Sequence, residues 1–110
     1  MMLLAPIPAA EKALERAGKS IQDMDVIEPN EAFASPCLAF ARHFGYENDD
    51  PRVNPSGGAI AMGHPIGASG VIYFSEMCHE LNHREGRWGL QLICGGGGIG
   101  IATVVEREEY

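Results

Sequence analysis

Basic residues are scarce. The 110-residue chain carries eight Lys and Arg against fifteen Asp and Glu, a formal net charge of −7, and no basic run. A surface of that sign repels phosphate backbones and anionic headgroups, which argues against a nucleic-acid or membrane-surface partner. Long apolar runs are missing as well, and none approaches the roughly 20 residues that cross a bilayer. Cysteine is sparse: Cys37, Cys78 and Cys94 are too few, and odd in number, for a disulfide framework. A reduced, cytoplasmic compartment fits that usage. The opening M-M-L-L-A-P-I-P-A-A lacks a basic segment before its apolar residues, and two prolines interrupt them, so it reads poorly as a secretory signal. Internal repeats and low-complexity tracts are absent. Residues 1–110 suffice for one domain and not two, at an ordinary 45% hydrophobic and 21% charged composition.

Glycine, by contrast, is plentiful at 14 residues, and it clusters. Around Cys94 the sequence runs L-I-C-G-G-G-G-I-G-I-A. Glycine in a strand interior costs stability, so such a cluster marks a tight bend or a close approach to the main chain. Gly95, Gly97 and Gly100 match G-x-G-x-x-G, but the dinucleotide fingerprint needs a helix next and an acidic residue about 20 positions on. The residues that follow, I-A-T-V-V, read as a strand instead.

The pattern predicts helices over Pro8–Ala17 and Glu31–Phe44, stopped by Gly18 and Gly45, and a long helix from about Gly67 to Arg84, broken by Gly86. Ser20 to Asp23 has capping-box spacing for a short turn. Strands are expected over Val26–Glu28, Leu90–Cys94 and Ile99–Val105, the last two as an antiparallel pair. A charged loop, Glu47–Arg52, precedes a second glycine-rich region, Asn54–Gly70. The fold class is α/β, a sheet layered with helices.

Two constellations carry chemistry. The first is His79-Glu80-Leu81-Asn82-His83, a literal H-E-x-x-H that on a helix sets two imidazoles for zinc with a glutamate as base. No histidine lies downstream of it, and Gly89 stands where a third ligand belongs, so no metal site is expected. The second joins Asn30-Glu31-Ala32-Phe33, the run Gly57 to Gly70 with its Gly63-His64-Pro65, and Cys94-x-Gly96-Gly97-Gly98-x-Gly100. A carboxamide, an imidazole and a thiol beside bare backbone N–H groups suit carbonyl chemistry through an oxyanion or enolate. Plainer roles exist: Cys94 as a small buried apolar residue, Asn30 as the N-cap of the next helix, Glu31 as a first-turn helix charge.

These three ordered motifs, with A-P-I-P-A-A-E-K-A-L-E-R-A-G before them and V-V-E after, resemble the C-terminal domain of thiolases, the acyl-CoA C-acyltransferases of fatty-acid metabolism. The resemblance covers essentially the whole chain. It implies reversible Claisen condensation of acyl-CoA, or thiolytic cleavage of 3-ketoacyl-CoA, with a coenzyme A thioester as substrate and no bound cofactor. Cys94 resembles the acid/base cysteine. His64 is similar to the histidine that activates the nucleophile and lines an oxyanion hole. Asn30 is similar to the asparagine that holds a water there, and Gly96 to the glycine whose N–H joins a second hole. Ala32, Phe33 and Met62 are the implied substrate-binding positions. Complete thiolases are homo-oligomers whose N-terminal half supplies the nucleophilic cysteine, while an intervening loop region carries much of the coenzyme A binding. Cys37 and Cys78 lack the nucleophile's sequence context. The residues here thus form half a site, and an N-terminal half is the implied partner. The competing reading is a catalytically inactive thiolase-fold domain that serves as an interaction module. Pro29 departs from the apolar strand-former usual before Asn30 and is expected to end its strand at Glu28.

Overall fold

In the computed structural model, which describes residues 4–31, 33–47, 49–63, 69–95 and 99–108, two prolines open the first helix. Helix α1 spans Pro6–Ala17, two residues longer at its start than expected. Pro6 and Pro8 both fall in its first turn, where no backbone N–H has an intrahelical acceptor to lose. Gly18 ends it in the left-handed region at φ 67°, donating its N–H to Glu15 O at 3.0 Å. A short 3-10 turn, Ile21–Asp23, follows with the Ser20–Asp23 capping box formed.

Strand β1 is Val26–Pro29, helix α2 Ala34–Phe44, helix α3 Ala59–Met62, helix α4 Ser69–His83, strand β2 Trp88–Gly95 and strand β3 Ile99–Glu106. The sheet order is β1-β2-β3. β1 runs parallel to β2 with Pro29 beside Leu92, and β2 runs antiparallel to β3 with Cys94 beside Gly100. The α/β class and the antiparallel final pair agree with the sequence reading.

Three expectations need correction. Pro29 does not end β1. Ile27 and Pro29 direct their nitrogens away from β2, and on that side Ile27 N–H donates to Arg52 O at 2.8 Å. The missing donor of Pro29 therefore falls on the outer edge of the strand, while Asn30 N–H still reaches Leu92 O at 2.8 Å on the inner one. Helix α2 begins at Ala34 rather than Glu31, with extended Phe33 as its N-cap and no side-chain cap. The glycine-rich region also contains α3, which the density of glycine concealed.

Helices cover both faces of the sheet. Ala10 and Leu14 of α1 pack with Ile27, Leu90 and Leu92, and with Ala102 and Val104 of β3. On the other face Met77 and Leu81 of α4 pack with Val26 and Val105. Gly100 lets α1 sit close: a Cβ there would lie 2.3 Å from the Ala5 carbonyl. No helix among the described residues is long and apolar enough to cross a membrane.

Candidate active site

The parallel strands β1 and β2 end side by side, and ligands of open α/β sheets bind beyond such carboxyl ends. Asn30 follows β1 directly and is tied to β2 by its N–H bond to Leu92 O at 2.8 Å. Cys94 is two residues further along β2 and half-buried. These two expected site residues are thus brought to one end of the sheet. His64, Gly96 and Ala32 lie outside the described residues. Phe33 is 61% exposed and Met62 48% exposed, on the N-cap of α2 and the end of α3.

Asn30 does not cap α2, whose cap is Phe33. Its Oδ1 is buried, with no hydrogen-bond partner among the described residues. Glu31 is not a first-turn charge of α2 either. Its Oε1 accepts the Ile60 N–H at 3.1 Å and its Oε2 accepts Asn54 Nδ2 at 2.9 Å. The carboxylate therefore fastens the start of α3 to the end of β1, close enough to Gly58 that a Cβ there would lie 2.3 Å from it. Asn54, at φ 42°, also donates Nδ2 to Pro29 O at 3.1 Å. Asparagine tolerates that left-handed conformation better than other side chains.

Cys37 sits on α2 beneath this point, with its Sγ donating to Asn30 O at 3.9 Å. Burial first, and then the Glu31 and Cys94 charges, push its thiol up to about 11. A thiol of that acidity is no nucleophile at neutral pH, which agrees with its unsuitable sequence context. Cys78 is exposed on α4, with its thiol also raised by burial.

The sequence reading missed Glu28. It is only 2% exposed, and burial, followed by the charges of Glu76, Glu31 and Glu80, lifts its carboxyl to about 8. Its Oε1 is buried with no partner among the described residues, as is Asn54 Oδ1. Glu28, Asn30, Asn54 and Tyr73 line one cavity of about 10 Å³. The alternation of Val26 and Glu28 on one strand face was the available signal. A charged residue there invites an assignment to the solvent side, but α4 covers that face.

The H-E-x-x-H residues are engaged differently. Glu80 accepts Arg84 Nη2 at 2.9 Å, and His79 and His83 are exposed on α4. Among the described residues no group of three or more His, Cys, Asp or Glu could hold a metal ion.

A family model described as "Thiolase, C-terminal domain" matches residues 1–107. The chain is 53% identical over 107 residues to a 3-oxoadipyl-CoA/3-oxo-5,6-dehydrosuberyl-CoA thiolase of Escherichia coli (strain K12), covering 97% of this chain and 27% of that protein. It is 49% identical to an acetyl-CoA acetyltransferase of Syntrophomonas wolfei, covering 96% of this chain and 27% of that protein. With a beta-ketothiolase of Cupriavidus necator it shares 48% identity, over 96% of this chain and 26% of the relative. The chain spans about a quarter of the length of these curated relatives. By the match over 1–107 and these identities, the chain belongs to the thiolase family and corresponds to its C-terminal domain.

Proposed function

We propose that residues 1–110 form one thiolase C-terminal domain that contributes half of an acyl-CoA C-acyltransferase active site. It acts on coenzyme A thioesters without a metal or bound cofactor. Cys94 takes the α-proton of an acyl-CoA during condensation and returns one to the enolate during cleavage. Asn30 and His64 serve one oxyanion hole and Gly96 N–H a second, while Ala32, Phe33 and Met62 border the substrate. The nucleophilic cysteine comes from a thiolase N-terminal half, equivalent to the rest of the relatives' length, whether that half is part of the same polypeptide or a separate one. Alone, the chain does not turn over.

The observation that supports this reading is the backbone Asn30–Leu92 bond, with Asn30 directly after β1 and Cys94 two residues beyond Leu92 at the same end of the adjoining strands. The elevated thiol of Cys37 supports the need for an outside nucleophile. A reduced, cytoplasmic setting keeps all three thiols free, and the assembled enzyme is a homo-oligomer.

The test is cleavage of acetoacetyl-CoA by the purified chain, alone and mixed with the N-terminal portion of a thiolase. Turnover is expected only in the mixture, abolished by Cys94→Ala and reduced about 10²–10³-fold by Asn30→Ala, the usual effect of losing one oxyanion donor. Turnover by the chain alone would make Cys37 or Cys78 a nucleophile and overturn the half-site. Silence from a folded chain with several partner halves would favour the interaction module.

A further inference from the structure

Among the described residues, three oxygens on one cavity lack a hydrogen. Glu28 Oε1, Asn30 Oδ1 and Asn54 Oδ1 are all buried with no partner among those residues, and Glu28, Asn30 and Asn54 all line the same 10 Å³ space. Acceptors cannot satisfy one another, and buried polar atoms left unpaired are rare. The Asn54 amide cannot turn to help, because its Nδ2 is spent on Pro29 O and Glu31 Oε2. Residues 28 and 30 stand two apart on one strand and its extension, so their side chains leave on the same face.

We propose that Glu28 is a positioning residue, held as the neutral acid, whose O–H supplies Asn30 Oδ1 directly or through one water and thereby fixes the Asn30 carboxamide oxygen-inward. The space suffices for one water. With its oxygen held in the cavity, Asn30 presents its Nδ2 hydrogens to the end of the sheet as donors. An ionised Glu28 would demand a donor and draw Nδ2 inward, because an amide's two orientations are close in shape and are chosen by their partners.

The surroundings favour the proton. Glu76 and Glu80 face Glu28 from α4, and Glu31 faces it from the β1–α2 turn, all of one sign. Tyr73 of α4 lines the cavity but spends its hydroxyl hydrogen on Gly63 O. From β2 the lining residues are the neutral Gln91 and Ile93, and Gln91 donates to Gly70 O at 3.1 Å. The value for catalysis rests on the role proposed above for Asn30, whereas the placement of the proton does not.

The test is carboxyl-carbon NMR titration of the folded chain, following the Asn30 side-chain amide in parallel from about pH 5 to about pH 10. Glu28 is expected to stay protonated at neutrality and to titrate near 8, against 4.5 for an ordinary glutamate. The Asn30 amide signals should move with the same midpoint. In Glu28→Gln, whose carboxamide donates at every pH, that step should vanish with the low-pH signals retained. In Glu28→Met, which offers no hydrogen, the high-pH signals should persist throughout. Titration of Glu28 near 4.5, or Asn30 signals that pass through its transition unmoved, would overturn the proposal. If a variant fails to fold, the wild-type titration decides alone. No turnover is involved, so a failed complementation would sink the acyltransferase reading without touching this one.

Discussion

A buried carboxyl whose charged neighbours among the described residues are all carboxylates ties folding to pH. Glu28 is lifted from 4.5 to about 8 by burial and by Glu76, Glu31 and Glu80. A raised folded value means that the native state keeps a proton the unfolded chain has released. The stabilisation is whole below 4.5 and is lost as pH rises to about 8. Over that window Glu28 should contribute a fall in unfolding free energy of up to about 1.4 kcal/mol per pH unit. Urea unfolding at stepped pH checks this, and Glu28→Gln should flatten the slope. An equal slope in both proteins would place the linkage elsewhere. Glu31 offers a second test at this scale. Alanine at Gly58 would put a Cβ 2.3 Å from the Glu31 carboxylate, the movable end of a side chain. The cost is then the displaced bonds to Ile60 N–H and Asn54 Nδ2 rather than backbone strain, since Gly58 has φ −123°. Gly58→Ala and Glu31→Ala should each cost about 1.5–3 kcal/mol, the range for hydrogen bonds to a charged group. The double variant should cost no more than the worse single one. Additive losses in a double-mutant cycle would show that the two positions act apart.

Elements explain why some of this was legible in the sequence and some was not. Gly18 and Gly45 mark helix ends because their conformations, φ 67° and φ 76°, need no neighbour to be recognised. The periodic helices and the β2–β3 pair were legible for the same local reason. The end of β1 was misjudged because proline's effect depends on which edge its nitrogen faces, and pairing decides that. Glu31 looked like a helix charge until tertiary structure gave it the start of α3 as a partner. Asn30 and Cys94 were singled out because their motifs are specific, whereas Glu28 was passed over because burial by α4 cannot be read from a four-residue strand. Gly100 also belongs here. It stood in a glycine cluster suited to a ligand, yet the atoms nearest its missing Cβ are the Ala5 carbonyl at 2.3 Å and Pro6 N at 2.4 Å. Backbone on both sides leaves nothing flexible to yield. Gly100→Ala should force α1 off β3 and destabilise the chain by about 3 kcal/mol, the upper end for overpacking. Amide exchange should rise first in α1 and β3. A loss below about 0.5 kcal/mol would show that the helix start adjusts freely.

At the scale of the molecule, the sheet is left partly bare. Ile99 and Ile101 are 59% and 57% exposed, and they share a face of β3 with Val105, which α4 covers. The α4 helix begins close to that bare end, since a Cβ on Gly70 would touch Ile93, the strand partner of Ile101. Val71, the next residue of α4, is 73% exposed on the flank of that helix end. Large exposed apolar patches on soluble domains mark sites that another surface covers. The chain spans only 27% of the length of its thiolase relatives, so polypeptide to provide that cover exists in each of them. The proposed N-terminal partner would dock here, and without it copies of the chain should meet through the same residues. Light scattering of the isolated chain should show concentration-dependent self-association. Ile101→Lys with Val71→Glu should abolish it with little change in stability, because neither side chain is buried within the chain. The same pair should also prevent complementation while Cys94 remains intact, separating loss of docking from loss of chemistry. A monodisperse wild-type monomer, or a double variant that complements at full rate, would move the partner's surface elsewhere, with the exposed side chains of α2 and α3, Leu38 and Ile60, as the next to substitute.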